Sequence, residues 1–469
     1  MTAFQPMNHT MKTCQKLLVL GVLLFALPAL GQGMPPVVQA AKDADWARLS
    51  SLLSTQSNVQ DVYGDGTSAL HWASYHDNVQ AAVQLIERGI DVDSATDLGV
   101  TPLWLAADNG SSAMVDALLQ HGANPHLNLL SGETLVMTAA HSGNAALVRS
   151  LLAAGASPQG AVTRNQTALM WAAGQGHADV VAALLDYGAE VDARTLVRSQ
   201  YVKSEKEQDS HPLNKVWIEQ GGNTALIFAA RAGSLESARL LVAAGSDVNG
   251  LSAFGTSPAI MAVHGGNIEL LDFLLNSGAD VESSASGHTA LHAAVLRGSH
   301  RAIEVLLDHG ADIEALLEKP TPARRQSADY SFHDSLIGAT PLWLAARFTE
   351  PKIMTLLLER GADPLFVKDV TYPTLRGMEP VIAKEGDVSV LMAAVGMGYR
   401  RLRMSWGSIE RRAGIEGNDR EARILEAAEI AVAAGVDSNI QDAAGMAARD
   451  FARSRRYEEV FAFLDIVGR

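Results

Sequence analysis

The chain repeats itself at intervals of 33 residues, and this period constrains its fold more than any other feature. Gly66, Gly99 and Gly132 are spaced by this interval, and each is soon followed by a Ser or Thr and then a leucine. A second glycine follows 23 residues after the first in most units, as Gly89 and Gly122 do. Such a period is typical of a stack of small units in which each unit contacts only its neighbours.

Each unit carries the signals of two short helices. In one unit the Thr101 hydroxyl is placed to cap the first helix, and Pro102 suits the first turn. The second helix carries the pair Leu118 and Leu119 and ends before Gly122, because glycine readily adopts a left-handed conformation. Neither helix can bury its apolar face alone, so neighbouring units are expected to stack.

The two markers resemble the ankyrin repeat, whose 33-residue unit carries T-P-L-H-x-A-A and G-A-D-x-N. Here they read, for example, Thr101-Pro102-Leu103-Trp104 and Gly278-Ala279-Asp280. The resemblance extends over roughly residues 35–465. It implies an all-α ankyrin-repeat α-solenoid, built from helix-turn-helix units with hairpin fingers between them. We expect about ten repeats with N- and C-terminal caps and long insertions in the fingers.

The markers and the gaps between them predict the following organisation. The segments are a signal peptide at 1–31, an N-terminal capping repeat at 35–65, repeats one to four at 66–197, a finger insertion at 198–221, repeats five to seven at 222–317, a finger insertion at 318–337, repeat eight at 338–365, a finger insertion at 366–386, repeat nine with an internal insertion at 387–444, and a C-terminal capping repeat at 445–469.

Three long insertions fall in the same place, the finger between two repeats, and so are expected to project along one edge of the stack. Long loops inside an ordered domain are often functional, although neutral drift on a tolerant surface is the alternative. The insertions contain aromatic side chains suited to binding, namely Tyr201, Trp217, Tyr330, Phe332, Phe366 and Tyr372. The internal insertion of repeat nine is rich in arginine.

In ankyrin proteins the partner usually meets the fingers and the exposed end of the first helix. The resemblance places that end nine and ten residues after each repeat glycine, and we call it the first-helix strip. Ordinary solvated helix ends are the alternative interpretation of these positions. The candidate partner-binding residues of the strip are Tyr75, His76, Asp108, Asn109, His141, Gln175, Arg231, His264, Arg297, Arg347 and Phe348.

The N-terminus is typical of a secretory signal peptide. Lys12 and Lys16 precede an apolar run at 17–30, which is shorter than an ordinary membrane span. Small residues at the end of the run suit cleavage, which we expect after Gly31. The expected location is therefore periplasmic or secreted, and an uncleaved inner-membrane anchor is the alternative.

The charge balance narrows the choice of partner. The chain has 52 acidic and 37 basic residues, a net charge of −15, and cleavage would remove two lysines and the single cysteine, Cys14. An acidic chain is a poor ligand for nucleic acid or an anionic membrane. We expect no membrane span after signal cleavage, since no second apolar run is long enough.

The sequence contains no motif of catalysis or metal binding. H-E-x-x-H, C-x-x-C, G-x-S-x-G, the P-loop and the dinucleotide fingerprint are all absent. His71 and His292 stand at the family's T-P-L-H position, where the resemblance implies a structural role. The sequence therefore predicts no enzyme, no cofactor and no metal.

Together these features predict a non-catalytic scaffold for protein-protein interaction, of a bacterial exported type and expected to be a monomer. Its partner would be a protein of unknown identity. Two alternatives remain: a secreted effector that acts on a host protein, and an enzyme that uses the loops at 193–221 or 365–386. The location of the mature chain tests the first alternative, and point mutations in the loops test the second.

Overall fold

A computed structural model shows two compact units. The first comprises Met1–Ala172 and Asp179–Glu190, and the second Ala173–Ala178 and Val191–Arg469. The residues that the structure describes are 33–55, 58–162, 164–203, 215–319, 336–376, 379–397, 417–442 and 445–469.

Short helices follow one another in pairs in the first unit. Two short strands precede its last pair, and the division between the units passes through the helices of that pair. The elements are α1 (Pro36–Lys42), α2 (Trp46–Ser54), α3 (Ala69–Tyr75), α4 (Val79–Glu87), α5 (Pro102–Asp108), α6 (Ser112–Gln120), α7 (Leu135–Ser142), α8 (Ala145–Ala153), β1 (Ala161–Val162), β2 (Gln166–Thr167), α9 (Ala168–Gln175) and α10 (Ala178–Asp186).

The second unit continues the pattern of helix pairs and adds two longer hairpins. Its elements are β3 (Arg198–Lys203), β4 (Lys215–Gln220), α11 (Ala225–Ala232), α12 (Leu235–Ala243), α13 (Pro258–Gly265), α14 (Ile268–Asn276), α15 (Ala290–Arg297), α16 (His300–Asp308), α17 (Pro341–Arg347), α18 (Pro351–Glu359), β5 (Val367–Arg376), β6 (Glu379–Ser389), α19 (Val390–Ala394), α20 (Gly417–Ala433), α21 (Ala448–Arg455) and α22 (Glu458–Val467).

Side-chain caps start the first helix of most pairs. The Thr101 hydroxyl accepts a hydrogen bond from the Trp104 amide at 3.1 Å. In α3 the cap is reciprocal, because the Ser68 amide donates to Nδ1 of His71 at 3.1 Å. A cap of this kind stabilises a helix by about 1 kcal/mol. The other end is set by backbone conformation, as at Gly233, which ends α11 with a φ of 72°.

Leucine and alanine from both helices of each pair are the commonest residues of the core. Leu103, Ala106 and Leu118 are at most 1% exposed. First helices pack on the first helices of neighbouring pairs, as α3 does on α5 and α13 on α15. Burying one leucine side chain contributes roughly 1.5–3 kcal/mol, so the stack is stabilised mainly by apolar burial. The predicted stack of helix-turn-helix units is confirmed.

Two of the predicted finger insertions form antiparallel hairpins. Strands β3 and β4 pair in continuous register from Arg198 opposite Gln220 to Lys203 opposite Lys215. Strands β5 and β6 pair over a greater length, and their register shifts between Lys368 and Val370. Each hairpin therefore places a pair of antiparallel strands between two consecutive helix pairs.

Side-chain amides in the fingers connect one repeat to the next. Asn249 donates from Nδ2 to the Gly278 carbonyl at 3.1 Å and accepts at Oδ1 from the Asp280 amide at 2.7 Å. Gln159 makes the same pair of bonds in the first unit, to Gly188 and Glu190. These two-point links fix the spacing between neighbouring fingers.

Carboxylates perform the same function where an insertion intervenes. The Asp192 carboxylate accepts from the Asp247 amide at 3.0 Å, although 55 residues separate the two in the chain. Glu314 accepts from the Asp363 amide at 2.7 Å across 49 residues. The links around Asn249 span only 29 and 31 residues, so the spacing of the fingers does not depend on insertion length.

Replacing Asn249 with alanine should lower the free energy of unfolding by about 1–2 kcal/mol, because it removes two hydrogen bonds between repeats. Asn276→Ala is the matched control, since Asn276 bonds only to the Asp272 carbonyl within its own helix. Urea denaturation of both variants measures the difference. Equal shifts in the two variants would show that the finger link contributes nothing specific.

Within the described ranges of the chain, no helix is both long and apolar enough to cross a membrane.

Candidate functional site

The first-helix strip lies at the C-terminal ends of the first helices, where each chain turns toward its second helix. Tyr75 and Asp108 are the last residues of α3 and α5, and Arg231 and Arg297 lie in the last turns of α11 and α15. The repeat brings these residue positions to equivalent places in successive pairs. Each unit has its own part of the strip.

An aromatic cluster forms the first part of the strip in the first unit. The rings of Tyr75 and His76 are 5.2 Å apart, and that of Trp72 lies 5.7 Å from Tyr75. The His76 ring also meets Trp46 of α2 at 5.8 Å, while its Nε2 lies 3.0 Å from the Lys42 carbonyl. Edge-to-face packing of this kind holds aromatic rings in fixed positions relative to one another.

The next positions of the strip are polar. Asn109 donates from Nδ2 to the carbonyls of Ser74 and Tyr75, at 3.1 and 3.0 Å, so its amide ties α5 to the end of α3. Asp108 is half-buried. Burial raises the pKa of nearby Glu133, and the charge of Asp108 adds to that shift, while the bond from the Thr138 hydroxyl opposes it. Sequence reasoning did not single out Glu133.

His141 continues the strip in the first unit. Its ring packs edge-on against Trp171 with centroids 5.3 Å apart. Both side chains are only partly buried, which leaves apolar ring surface at the end of α7. Gln175, the last residue of α9, is also half-exposed.

In the second unit the strip is basic. Arg231 is exposed and its guanidinium lies over the Phe228 ring at 5.9 Å. Arg297 reaches across to the preceding pair and donates from Nη1 to the His264 carbonyl. The His264 ring is 6.1 Å from that of His288.

Two residues predicted to lie on the exposed strip are buried instead. Arg347 is 2% exposed and Phe348 is 5% exposed. The regular repeat is interrupted here, because the long helix α20 packs on α18 and Arg423 pairs with Glu350 at 3.1 Å in the turn after Phe348. The prediction of exposure was wrong for both residues: position in the repeat alone does not set exposure, since Arg231 at the position equivalent to Arg347 is exposed.

The first hairpin presents an exposed aromatic pair. Tyr201 and Trp217 face each other in the strand register, with ring centroids 5.0 Å apart. Tyr201 is 44% exposed and Trp217 is 69% exposed. Leu196 and Val197 are exposed at the base of the same hairpin. The cross-strand pairing, which holds both rings in place, could not be read from the sequence.

Some predicted positions lie outside the described residues. These are Tyr330, Phe332 and the signal peptide at 1–31, together with the arginine-rich insertion at 398–416. Tyr372 falls in β5, opposite Ala383.

Three histidines of the repeats, His71, His288 and His292, are buried. His71 and His292 are 0% exposed and bond to the caps of their own helices. Burial lowers the pKa of His71 and of His292 to about 4 each. Across the part of the chain that the structure describes, no three His, Cys, Asp or Glu side chains are grouped as a metal site requires.

Known proteins that are similar in sequence to this chain include proteins with ankyrin repeats. Rabankyrin-5 of Homo sapiens is 26% identical over 333 residues, which are 67% of this chain and 26% of that protein. The ankyrin repeat and KH domain-containing protein mask-1 of Caenorhabditis elegans is 29% identical over 150 residues, 31% of this chain and 5% of that protein. The chain thus spans about a quarter or less of the length of these relatives.

Among solved structures, the human ASB11 ankyrin repeat domain is similar at 24% identity, with a TM-score of 0.40, over 59% of this chain and 98% of that chain. The family model for ankyrin repeats in three copies matches residues 37–129, 123–195 and 226–316, and the single-repeat model matches residues 337–369. The three-copy model alone covers more than half of the chain. The protein therefore belongs to the ankyrin-repeat family.

Proposed function

We propose that the protein is an exported scaffold that binds a partner protein through the first-helix strip and the β3–β4 hairpin. Ankyrin-repeat proteins are generally non-enzymatic binding scaffolds, and their repeats imply protein partners. The observation that carries the proposal is the exposed pair of Tyr201 and Trp217. Large aromatic side chains held rigid at a surface are the residues that contribute most to protein interfaces.

The geometry of the hairpin favours recognition of a preformed kind. The stacked helix pairs fix the base of the hairpin, and the ladder of β3 and β4 fixes the two rings relative to each other. A partner that covers them loses little conformational freedom on this side of the interface, which favours tight binding. The first unit has an aromatic surface of its own at Tyr75, His76 and His141.

A photo-crosslinking amino acid in place of Trp217 should trap the partner in cells that produce the protein. The same amino acid in place of Tyr187 is the control, since Tyr187 is 43% exposed but lies at the end of a second helix. An adduct formed from position 217 and not from 187, then identified by mass spectrometry, supports the proposal. Identical adducts from both positions, or none, would contradict it.

The purified adduct partner allows a quantitative test. Trp217→Ala should weaken its binding roughly 30-fold, which corresponds to about 2 kcal/mol for a central aromatic residue. Tyr187→Ala should leave the affinity within about twofold, because an isolated exposed residue outside the interface contributes little. Calorimetric titration of both variants measures the effect, and equal losses would place the interface elsewhere.

Export is the second part of the proposal. The support is the basic and apolar composition of residues 12–31, and the expected cleavage point is Gly31. Cell fractionation combined with N-terminal sequencing tests it. A chain that begins after Gly31 in the periplasm or medium agrees with the proposal, whereas an intact chain in the membrane fraction supports the uncleaved anchor.

A further inference from the structure

The β3–β4 hairpin is a two-stranded ribbon, so each of its strands has an outer edge that the pairing of β3 with β4 does not use. In an antiparallel pair, every second residue of a strand points its backbone N–H and C=O away from the partner strand. Among the residues that the structure describes, β3 and β4 pair only with each other. An edge of this kind is a template on which another extended chain can pair.

The two outer edges differ in their surroundings. Strand β4 runs directly into Gly221, whose carbonyl accepts a hydrogen bond from the Ala253 amide of the next finger at 2.9 Å. Ile218 and Gln220 of β4 are partly buried. In β3, by contrast, the side chains of residues 198–201 are all exposed. The edge of β3 is therefore the more accessible of the two.

The β5–β6 hairpin lacks such an edge and provides an internal comparison. Its strands contain Pro373 and Pro380, which have no backbone N–H to donate, and its register shifts between Lys368 and Val370. Prolines and bulges are means by which proteins prevent pairing at the edge of a sheet. Strands β3 and β4 contain neither proline nor glycine, and their register is continuous. The backbone of β3 is thus left able to pair.

The charges of β3 restrict what can pair with it. The strand carries Arg198 and Lys203 at its two ends and no acidic residue. If two copies of the chain paired antiparallel along the whole of β3, Arg198 of one copy would lie opposite Lys203 of the other. Like charges directly opposite each other destabilise a sheet, whereas opposite charges stabilise it. The edge therefore disfavours a second copy and favours a strand with acidic residues at its ends.

We infer that an extended segment of the partner protein pairs with β3 and forms a third strand of this sheet. Acidic residues of the segment lie opposite Arg198 and Lys203, and an apolar residue lies opposite Tyr201. Backbone hydrogen bonds supply the affinity in this mode of recognition, and the alternating side chains supply the specificity. The inference rests on the proposed function, because it names how the partner binds at the same hairpin.

The aromatic pair fits this mode of binding. Tyr201 and Trp217 are opposite each other in the register, with ring centroids 5.0 Å apart, so both lie on one face of the ribbon. A residue opposite Tyr201 on a third strand lies on that same face, and residues directly opposite each other have Cβ atoms about 4.5–5.5 Å apart. The apolar residue of the partner would thus extend the pair to a row of three across the sheet.

The test uses the purified full chain and three fluorescent peptides with glycine spacers at both ends. The first peptide is Glu-Val-Ile-Thr-Thr-Glu, which in antiparallel alignment places a glutamate opposite each end of β3 and isoleucine opposite Tyr201. The second has the same sequence with its four central amides N-methylated, so it keeps the side chains and charge but loses these donors. The third carries lysine in place of both glutamates. Fluorescence anisotropy measures affinity, and hydrogen exchange followed by mass spectrometry measures protection of β3.

We expect the first peptide to bind and to slow hydrogen exchange in β3. The N-methylated peptide and the lysine peptide should bind at least about tenfold more weakly. Arg198→Glu should weaken binding of the first peptide at least about tenfold and strengthen binding of the lysine peptide, because the charges are exchanged. Arg48→Glu is the matched control, since Arg48 is exposed on α2, and it should stay within about twofold of the wild type.

Equal binding of the N-methylated peptide would overturn the inference, because it would show that side chains alone are recognised. Absence of binding by the first peptide would overturn it as well. Protection of β3 that rises with protein concentration in the absence of peptide would show that a second copy occupies the edge instead.

The partner trapped from position 217 separates this inference from the proposed function. If that partner leaves hydrogen exchange in β3 unchanged, the strand pairing is wrong and the proposed function stands. If position 217 traps no partner, the proposed function fails whatever the peptides show.

Discussion

Lowering the pH from 7.5 to 5 is expected to destabilise the repeats that contain His71, His288 and His292 by roughly 1–2 kcal/mol for each histidine. Burial lowers the pKa of His288 to about 3, with the charges of His264 and His292 adding to the shift, and lowers those of His71 and His292 to about 4. Below a pH of about 6.5 these histidines bind protons in the unfolded chain but stay neutral in the folded chain. Stability present above that pH is therefore lost as the pH falls toward 4.

The variant His71→Gln isolates one of these groups. Glutamine retains a hydrogen-bonding side chain at the third position of α3, as the reciprocal cap with Ser68 requires. His121→Gln is the control, because His121 is exposed on the turn after α6. Urea denaturation between pH 5 and 7.5 should show a smaller pH dependence in His71→Gln, by up to about one proton. Parallel pH profiles in His71→Gln and the wild type would refute the assignment.

Replacing Gly221 with alanine is expected to cost roughly 3 kcal/mol or more at the base of the β3–β4 hairpin. Gly221 has a φ of 107°, and an added Cβ would lie 2.0 Å from the Leu196 carbonyl oxygen. Neither the backbone strain nor the overlap can be relieved without moving the hairpin. The substitution should therefore disturb the presentation of Tyr201 and Trp217 as well as local stability.

The variant Gly245→Ala separates the cost of backbone strain from the cost of the steric overlap. Gly245 also has a positive φ, 93°, but nothing lies within 4 Å of its added Cβ. We expect a loss of only about 1 kcal/mol there, from backbone strain without a clash. Hydrogen exchange of β3 and β4 together with urea denaturation measures both effects. Equal, small losses in the two variants would mean that the hairpin base moves easily.

The repeat itself could be predicted because its determinants are local. Each repeat contains its own signals: a hydroxyl before the first helix, leucines at helical spacing and a glycine after the second helix. The cap formed by Thr101 and the burial of Leu118 could therefore be predicted from the sequence of one repeat. Trp104 and Trp343, which lie in first helices, are buried in the core of the same stack.

Features that depend on neighbouring units could not be predicted in the same way. Arg347 and Phe348 are buried although Arg231, at the position equivalent to Arg347, is exposed, and the repeat pattern does not reveal this difference. The pairing of Tyr201 with Trp217 depends on strand register within an insertion. The raised pKa of Glu133 likewise arises from burial and the charge of Asp108.

The links made by Asp192 and Glu314 have a consequence for how such a chain can diversify. Each carboxylate binds the backbone of the next repeat directly, on the far side of the insertion. The inserted residues are therefore not needed to align the two repeats. Whole loops can be exchanged, lengthened or grafted at these two joins while the flanking helices keep their registration. New binding specificities can thus arise by replacement of an inserted loop, without mutation of the buried core of the helix pairs.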